Sequence, residues 1–571
     1  MVKYTVWLIF FLKAWPVSLA VAEQEPPTVP SAPGRADSLE LLKRVRGTQA
    51  SFERTHRHGL PQVSHSRHRC EIYIGRFCYW YDGDARWEPG PERPYVIRQR
   101  NSLLSVLDSA AARLPGDDWI VGQRVRYLWE SSRTAAALEV ARHCRGTRWW
   151  CLALEGLVSH VRGDFALAES TFVNALASMP RELECDWNDI SFLLDAEARH
   201  MYRKLACADR QAIERRFWWL ADPLYMVPGN ERRTEHYSRS VVNQLLQSSD
   251  RPQQLRWGHD SRELLMRYGW PIGWEKERPP LGAVSSYARI IEHHRGGSRS
   301  FAPPSQYLAD PTKIGVGTWD LNPYRPRTRY AVPYASKFRK LEHQLALFRR
   351  GDSVIVVAAF DLAHQHGSRP AGKQRDVEDS GGSAALIIAK NEFSRPTVYK
   401  GKIHQPLTAV TSIEPTMLGL ELLTGQDSVA ARERFWMDLP TRAPRRASIS
   451  DIMILHTTDS LPASLAEATP LMSPTQWLRA DSQATIFWEL YDLEHGQKSV
   501  EFSLTVRKNG KAHGGVRLSW AETVNPTSSF TSHAVTIRLT PRMRGSYVVT
   551  LHASFGNGRT GMATKRIEVF R

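Results

Sequence analysis

Apolar residues recur at helical spacing from about Asp37 to His56, lose that spacing through 57–92, and resume it from about 93 to 250. In the second stretch Leu103, Leu104, Leu107, Ala111 and Leu114 fall three and four apart, on one helix face. Between about 281 and 345 the periodicity lapses, around His293-His294-Arg295-Gly296-Gly297 and Pro303-Pro304, which predicts a long connection. From Asp352 the texture becomes that of strands: Ser353 to Phe360, Ala384 to Ala389, Thr397 to Lys400 and Met417 to Leu423. A polar loop runs from Gly367 to Gly382 among them, and a second linker from Pro462 to Pro474.

The C-terminal region predicts six strands: Gln483–Tyr491, Val500–Arg507, Gly515–Trp520, Ala534–Leu539, Ser546–Ala553 and Met562–Phe570. Val500, Phe502, Leu504 and Val506 alternate, as do Tyr547, Val549 and Leu551, and Asn509-Gly510 and Asn557-Gly558 supply turn chemistry. Short alternating strands at this density predict an immunoglobulin-like sandwich.

Within the helical region the chain places Gly156, Gly163, Ala168, Phe172, Ala175 and Pro180 so that small residues let two antiparallel helices approach. Phe172 then fills the groove between them and Pro180 ends the second helix. An offset of 34 residues carries Gly122 to Gly156, Leu138 to Phe172 and Ala141 to Ala175. The pattern resembles the tetratricopeptide repeat, although Leu152 stands where that family has an aromatic. Two copies fall short of a stable solenoid, so helices near 93–114 and 186–207 are expected to cap them.

The most distinctive stretch runs from Phe217 to Pro271: Phe217-Trp218-Trp219-Leu220-Ala221-Asp222-Pro223, Pro228-Gly229-Asn230-Glu231, Glu235-His236-Tyr237, Arg239, Trp257-Gly258-His259-Asp260 and Tyr268-Gly269-Trp270-Pro271. It resembles the GWxTD domain, a module of exported bacterial proteins with no assigned function. The naming motif departs from the family: Gly258 follows Trp257, and His259 stands where Thr is usual. The resemblance implies an exported protein with strand-rich regions downstream and implies no chemistry. Read from the residues alone, Asp222-Pro223 stops a helix, because the residue before proline is pushed out of the α region. Asn230 or Gly229 caps the next helix, whose first turn carries Glu231, and Glu235 with Arg239 forms an i,i+4 pair. Against that structural reading stands a functional one, in which Asp222, Glu231, Glu235, His236 and Asp260 converge as an acid–base or metal cluster.

At the N-terminus Lys3, the apolar run Tyr4 to Leu12 and Ala20-Val21-Ala22 have the order of a secretory signal, interrupted by Lys13. The run is far shorter than the roughly 20 residues that span a bilayer, and no later segment approaches that length. Export without a membrane span is therefore expected, to the periplasm or beyond the cell. Six cysteines, Cys70, Cys78, Cys144, Cys151, Cys185 and Cys207, agree with an oxidising compartment and predict up to three disulfides. Pairing of neighbours (70/78, 144/151, 185/207) is the first expectation among roughly fifteen connectivities. The competing reading, zinc held by His65, His68, Cys70 and Cys78, matches no common ligand spacing.

Lys plus Arg (76) exceed Asp plus Glu (59), a net charge of +17 that falls to +15 once residues 1–22 remove Lys3 and Lys13. The arginines are dispersed, without a basic run interleaved with aromatics, which argues against nucleic acid and toward protein partners, anionic envelope glycans or lipid headgroups. No GxSxG, HExxH, P-loop or GxGxxG is present, and no cofactor is expected. His364-Gln365-His366 offers two imidazoles on one side of an extended segment, but beside a Gly-Ser-Arg loop it reads as solvated polar chain, so no metal site is expected.

The organisation expected is a mixed α and β multidomain chain. A signal peptide (1–22) precedes a Pro-rich leader, helix and disulfide hairpin (23–92) and tetratricopeptide-like repeats (93–210). There follow the GWxTD-like segment (211–280), a connector (281–345), a β-rich domain (346–460) and the immunoglobulin-like sandwich (470–571). The function expected is non-catalytic scaffolding or binding in the bacterial envelope, and the alternative is a hydrolase built on the 222–260 cluster.

Overall fold

The computed structural model describes residues 35–63, 71–79, 87–252, 255–277, 290–362, 381–425, 428–438, 447–493, 498–509, 515–524, 529–555 and 559–570. Residues 1–34, where the signal peptide and most of the Pro-rich leader are expected, lie outside them, as do His65, His68, Cys70 and the His364–His366 pair. Among the described residues no helix is long and apolar enough to cross a membrane.

The N-terminal half is helical. Helices Arg35–Gly59, Pro94–Arg113 and Asp118–Glu130 share a core of Val45, Phe52, Leu103, Leu107, Ile120 and Tyr127. Helices Asp118–Glu130, Thr134–Arg142, Arg148–Val161 and Phe165–Ala177 then close with Glu231–Gln247 around Val125, Trp150, Leu157, Phe172 and Val241. A Cβ on Gly156 would lie 2.9 Å from the Phe172 ring, and one on Gly122 would lie 3.1 Å from Trp150. Ala141, Ala168 and Ala175 sit in the same core, Gly163 turns the chain at φ +83, and Pro180 opens helix Arg181–Asn188. Cys144 is bonded to Cys151 and Cys185 to Cys207, with Cα separations of 5.6 and 6.0 Å. Cys78, on the hairpin Ile72–Ile74/Phe77–Tyr79, is also disulfide-bonded.

The C-terminal half is built of sheets. A five-stranded sheet orders Thr397–Lys402, Ser383–Ala389, Thr416–Leu423, Val429–Met437 and Lys337–Arg339. A three-stranded sheet (Leu407–Ser412, Ser353–Leu362, Leu341–Arg350) faces it across Val356, Phe360, Leu386, Leu420 and Phe435. The terminal unit likewise sets Gln483–Tyr491 and Phe530–Arg538 against a five-stranded sheet containing Lys498–Lys508 and Gly545–Ser554, around Trp488, Leu504 and Leu551.

Two expected boundaries move. Strands Ser448–Ile449 and Met453–Leu455 pair with Gln483–Tyr491, so the terminal unit begins before 460 rather than at 470. The expected connector carries strand Ile290–His293, helix Ser305–Ala309 and the start of strand Leu341–Arg350. Its strand alternation is masked by inward polar groups: buried Gln344 exchanges hydrogen bonds with the Ile454 backbone.

The five-stranded sheet is buried on both faces. Ala385, Ile387, Met417 and Ala430 pack away from the first core, onto Trp219, Leu220, Leu224 and Met226 of the GWxTD-like segment and Phe301 and Tyr330 of the connector. Helical and β halves therefore meet through that segment.

The Gly156 contact predicts that Gly156→Val destabilises the helical half by about 1–3 kcal/mol, because the Phe172 ring, 1% exposed, has no space to retreat into. Denaturant unfolding followed by far-UV circular dichroism measures it.

Candidate functional site

Helix Cys207–Ala221 ends at Asp222, whose φ of −54° and ψ of 122° are extended, as the following proline requires. The loop from there to Asn230 is held by the sheet. Glu421 accepts from the backbone N–H groups of Tyr225 (3.0 Å) and Met226 (2.9 Å), and Arg434 donates to the Leu220 carbonyl and to Glu421, both at 3.0 Å. Arg432 donates to the Asp222 carbonyl at 2.6 Å. Gly229, at φ +86, closes the loop where a Cβ would lie 2.5 Å from the Phe165 backbone. Asn230 Oδ1 then accepts from the Arg233 N–H at 2.9 Å, while its Nδ2 donates to the Trp218 carbonyl at 2.7 Å. Helix Glu231–Gln247 thus starts from a capped, anchored point, with Phe217 and Trp218 in the core beside it.

Much of that helix is polar and buried, including Glu231, Arg232, Glu235, His236 and Arg239. The five residues expected to converge fall in four places. Asp222 and Glu231 are neighbours: burial and then the other carboxylate push Asp222 well up, and burial chiefly pushes Glu231 up to about 8. The Tyr334 hydroxyl donates to Glu231, but Asp222 Oδ1 and Glu231 Oε2 have no partner among the described residues. One turn on, Glu235 accepts from Arg239 Nε (2.8 Å) and is bonded to His160 Nε2 at 2.8 Å. Burial pushes Glu235 up, but Arg239 and the hydrogen bond with His160 outweigh it and hold the carboxyl down to about 2. His236, about 100° round the helix from Glu235, instead meets the Trp187 carbonyl at 2.9 Å; burial lowers it to about 3. Asp260 sits apart, in the first turn of helix His259–Tyr268, gripped by Arg76 at 2.7 and 2.9 Å. The single acid–base cluster is therefore not formed.

What does converge is a cavity of about 810 Å3, among the described residues bounded by the first helices, helices Glu231–Gln247 and His259–Tyr268, and the strand pair Gly273–Glu277/Ile290–His293. Trp257, Tyr268, Gly269 and Pro271 of the family-like motif line it, with Trp270 and Trp274. Gly258 only leads the chain, extended, into the helix that begins at His259. Gly269, at φ +86, has no room for a side chain: a Cβ would lie 3.0 Å from Arg239 Nη2 and 3.3 Å from Glu235 Oε1. The Glu235–Arg239–His160 group forms part of the wall, whereas Asp222 and Glu231 are outside it.

Of the lining residues His160, Glu292, His294 and Tyr330, none is placed in the cavity by a local sequence signal. His160 is a lone histidine in an apolar helix and carries no local signal; His293-His294 is visible as a pair but its placement is not. For Glu421, Arg432 and Arg434 a signal exists: charges inside TMLGLELL and VAARERFWM mark a sheet face that meets something polar. No group of three or more His, Cys, Asp or Glu able to hold a metal ion occurs among the described residues.

No family model matches the chain, and no curated protein does. Among solved structures it is similar to red sea bream transglutaminase at 10% identity, over 40% of this chain and 31% of that one, with a TM-score of 0.15. It is also similar to a tetra-tandem repeat in the extending region of a large adhesion protein, at 12% identity, over 40% of this chain and 49% of that one, with a TM-score of 0.13. At these scores neither likeness bears on fold or function.

The Asp222/Glu231 pair predicts a pH dependence. Folding raises Glu231 from the ordinary 4.5 to about 8, so the stability present below 4.5 is lost as the pH rises through that window. Glu231→Gln keeps an acceptor for Tyr334 and removes the charge. Its melting temperature should fall less than the wild type's between pH 5 and pH 9. Parallel pH-dependent melts test it.

Proposed function

We propose that this is an exported, non-catalytic binding protein of the bacterial envelope, of the GWxTD type, whose ligand site is the cavity behind Gly269. In this reading the helices from 93 to 210 are tetratricopeptide-like hairpins, supported by the Gly156–Phe172 and Gly122–Trp150 contacts. The terminal unit is an immunoglobulin-like sandwich, supported by its two facing antiparallel sheets. Disulfides at Cys144–Cys151 and Cys185–Cys207 favour an oxidising compartment. The observation that carries the binding role is the 810 Å3 aromatic-lined cavity itself, within the size range of ligand sites. Its ionisable groups are largely paired with one another: Glu235 with Arg239 and His160, Arg126 with Glu53 and Glu130, and Arg100 with Glu92. Groups so engaged hold a shape rather than exchange protons with a substrate.

One observation favours a hydrolase as the second reading. Glu292, raised by burial to about 7, and Glu235, held down to about 2, line the same cavity, and carboxyls pushed apart in this way can divide acid and stabilising roles.

The mature protein should bind envelope extract components, protein or glycan, and Trp270→Ala and Trp274→Ala should each weaken that binding about tenfold without altering the circular dichroism spectrum. Equilibrium binding followed by tryptophan fluorescence measures it, and unchanged affinity in both variants rejects the cavity as the site. Release of new reducing ends or peptide amines from the bound material, abolished in Glu292→Gln, would establish the hydrolase instead.

A further inference from the structure

The net positive charge points to anionic partners, but the cavity's own chemistry points elsewhere. Of its arginines, Arg100, Arg126 and Arg239 are committed to carboxylates, with Arg126 at 2.8 Å from Glu53 and Arg239 at 2.8 Å from Glu235. The remaining three, Arg93, Arg133 and Arg295, are exposed and stay hydrated. Among the described residues no guanidinium buried in the cavity is left over for a phosphate or sulfate.

The uncommitted groups are of a different kind. Trp274 and Glu292 stand directly opposite each other on antiparallel strands, so their side chains share a face. His294 follows on that side, its Nε2 3.8 Å from Glu292 Oε2, beyond hydrogen-bond length. His294 Nδ1 and the hydroxyl of Tyr330, 5% exposed, have no partner among the described residues. Tyr79 lies edge-on to the His294 ring at 5.5 Å and stacks on Tyr268 at 3.7 Å, which extends the aromatic wall. Burial, then Arg239, holds His294 down to about 3, against a smaller opposing pull from the Tyr268 backbone, and burial raises Glu292 to about 7. A carboxyl, a neutral imidazole and a phenol provide donors and acceptors with little net charge. Beside indole and phenol faces, that combination suits a ring that is apolar on its flat face and hydroxylated at its edge.

We infer that the cavity takes an uncharged carbohydrate, whose hydroxyls are bound by Glu292, His294 and Tyr330 and whose ring lies on Trp274 and the neighbouring aromatics. This rests on the cavity being the ligand site. An anionic glycan would set its charge beside Glu292 with no uncommitted buried arginine among the described residues to meet it, and a cationic one would depend on Glu292 being ionised.

The test is calorimetric titration of the full mature chain with neutral hexasaccharides (maltohexaose, cellohexaose, isomaltohexaose and chitohexaose), an anionic hexagalacturonate and a cationic hexaglucosamine. At least one neutral sugar should bind with a Kd below about 1 mM. Glu292→Gln, which keeps a hydrogen-bonding amide, should retain that affinity within about threefold, while Glu292→Ala and Tyr330→Phe should lower it about fivefold or more. Unchanged melting temperatures in Glu292→Ala and Tyr330→Phe exclude misfolding as the cause. If no neutral sugar binds, or if only a charged one does, the inference fails. The two failures separate on Trp274→Ala: loss of a charged sugar or of envelope-extract binding in that variant keeps the cavity as the site and rejects only its neutral ligand. Indifference of all binding to Trp274→Ala rejects the cavity itself.

Discussion

The Glu235 carboxylate, taken out of water between His160 and Arg239, is the interaction on which the helical half is organised. A buried carboxylate is tolerated only when its charge and lone pairs are met, and removal of one partner from such a pair costs about 3–5 kcal/mol. Here the partners come from separate elements. His160 belongs to helix Arg148–Val161, and Arg239, one turn beyond Glu235, also donates to the carbonyls of Met266 (2.9 Å) and Arg329 (3.1 Å). One ionic group therefore fixes the repeat-like helices, the capped helix, helix His259–Tyr268 and the connector relative to one another. Gly269 is held to hydrogen by the same group, because the guanidinium occupies the space of a side chain.

A second buried ionic group does the same for the other half. Glu421 and Arg434, 0% and 1% exposed at the side chain, turn the far face of a β-sheet into a socket for the loop after Asp222. Sheet and loop share the apolar contacts of Trp219, Leu224 and Met226, but the backbone of the loop has polar groups that apolar packing alone would leave unmet. The two sockets lie at opposite ends of one short span, the start of helix Glu231–Gln247 and its second turn. Between them the Asp222/Glu231 pair is buried outside the large cavity, while the next turn opens onto it.

Local rules made a good part of this legible. The stop at Asp222-Pro223, the cap at Asn230, the i,i+4 pair of Glu235 and Arg239 and the close helix approach at Gly156 each depend on residues within a few positions of one another. The neighbour pairing of Cys144–Cys151 and Cys185–Cys207 has the same short-range character. The proposed convergence of Asp222, Glu231, Glu235, His236 and Asp260 does not, and it is there that expectation and structure part. Adjacent residues on a helix face different ways, which separates His236 from Glu235. Asp260 begins another helix, where Arg76 from the distant hairpin satisfies it.

The sequence by itself determined the α-then-β order, the helix ends, the strand faces and the small residues at close contacts, since period and turn chemistry act over a few residues. Only the tertiary structure decided which charges are buried, which are spent on one another and which face open space. His160 meets Glu235 across 75 positions and Glu421 meets Tyr225 across 196. Whether a carboxyl stabilises a junction or faces a cavity, as Glu231 and Glu292 do respectively, follows from what the fold brings against it and how much water it removes.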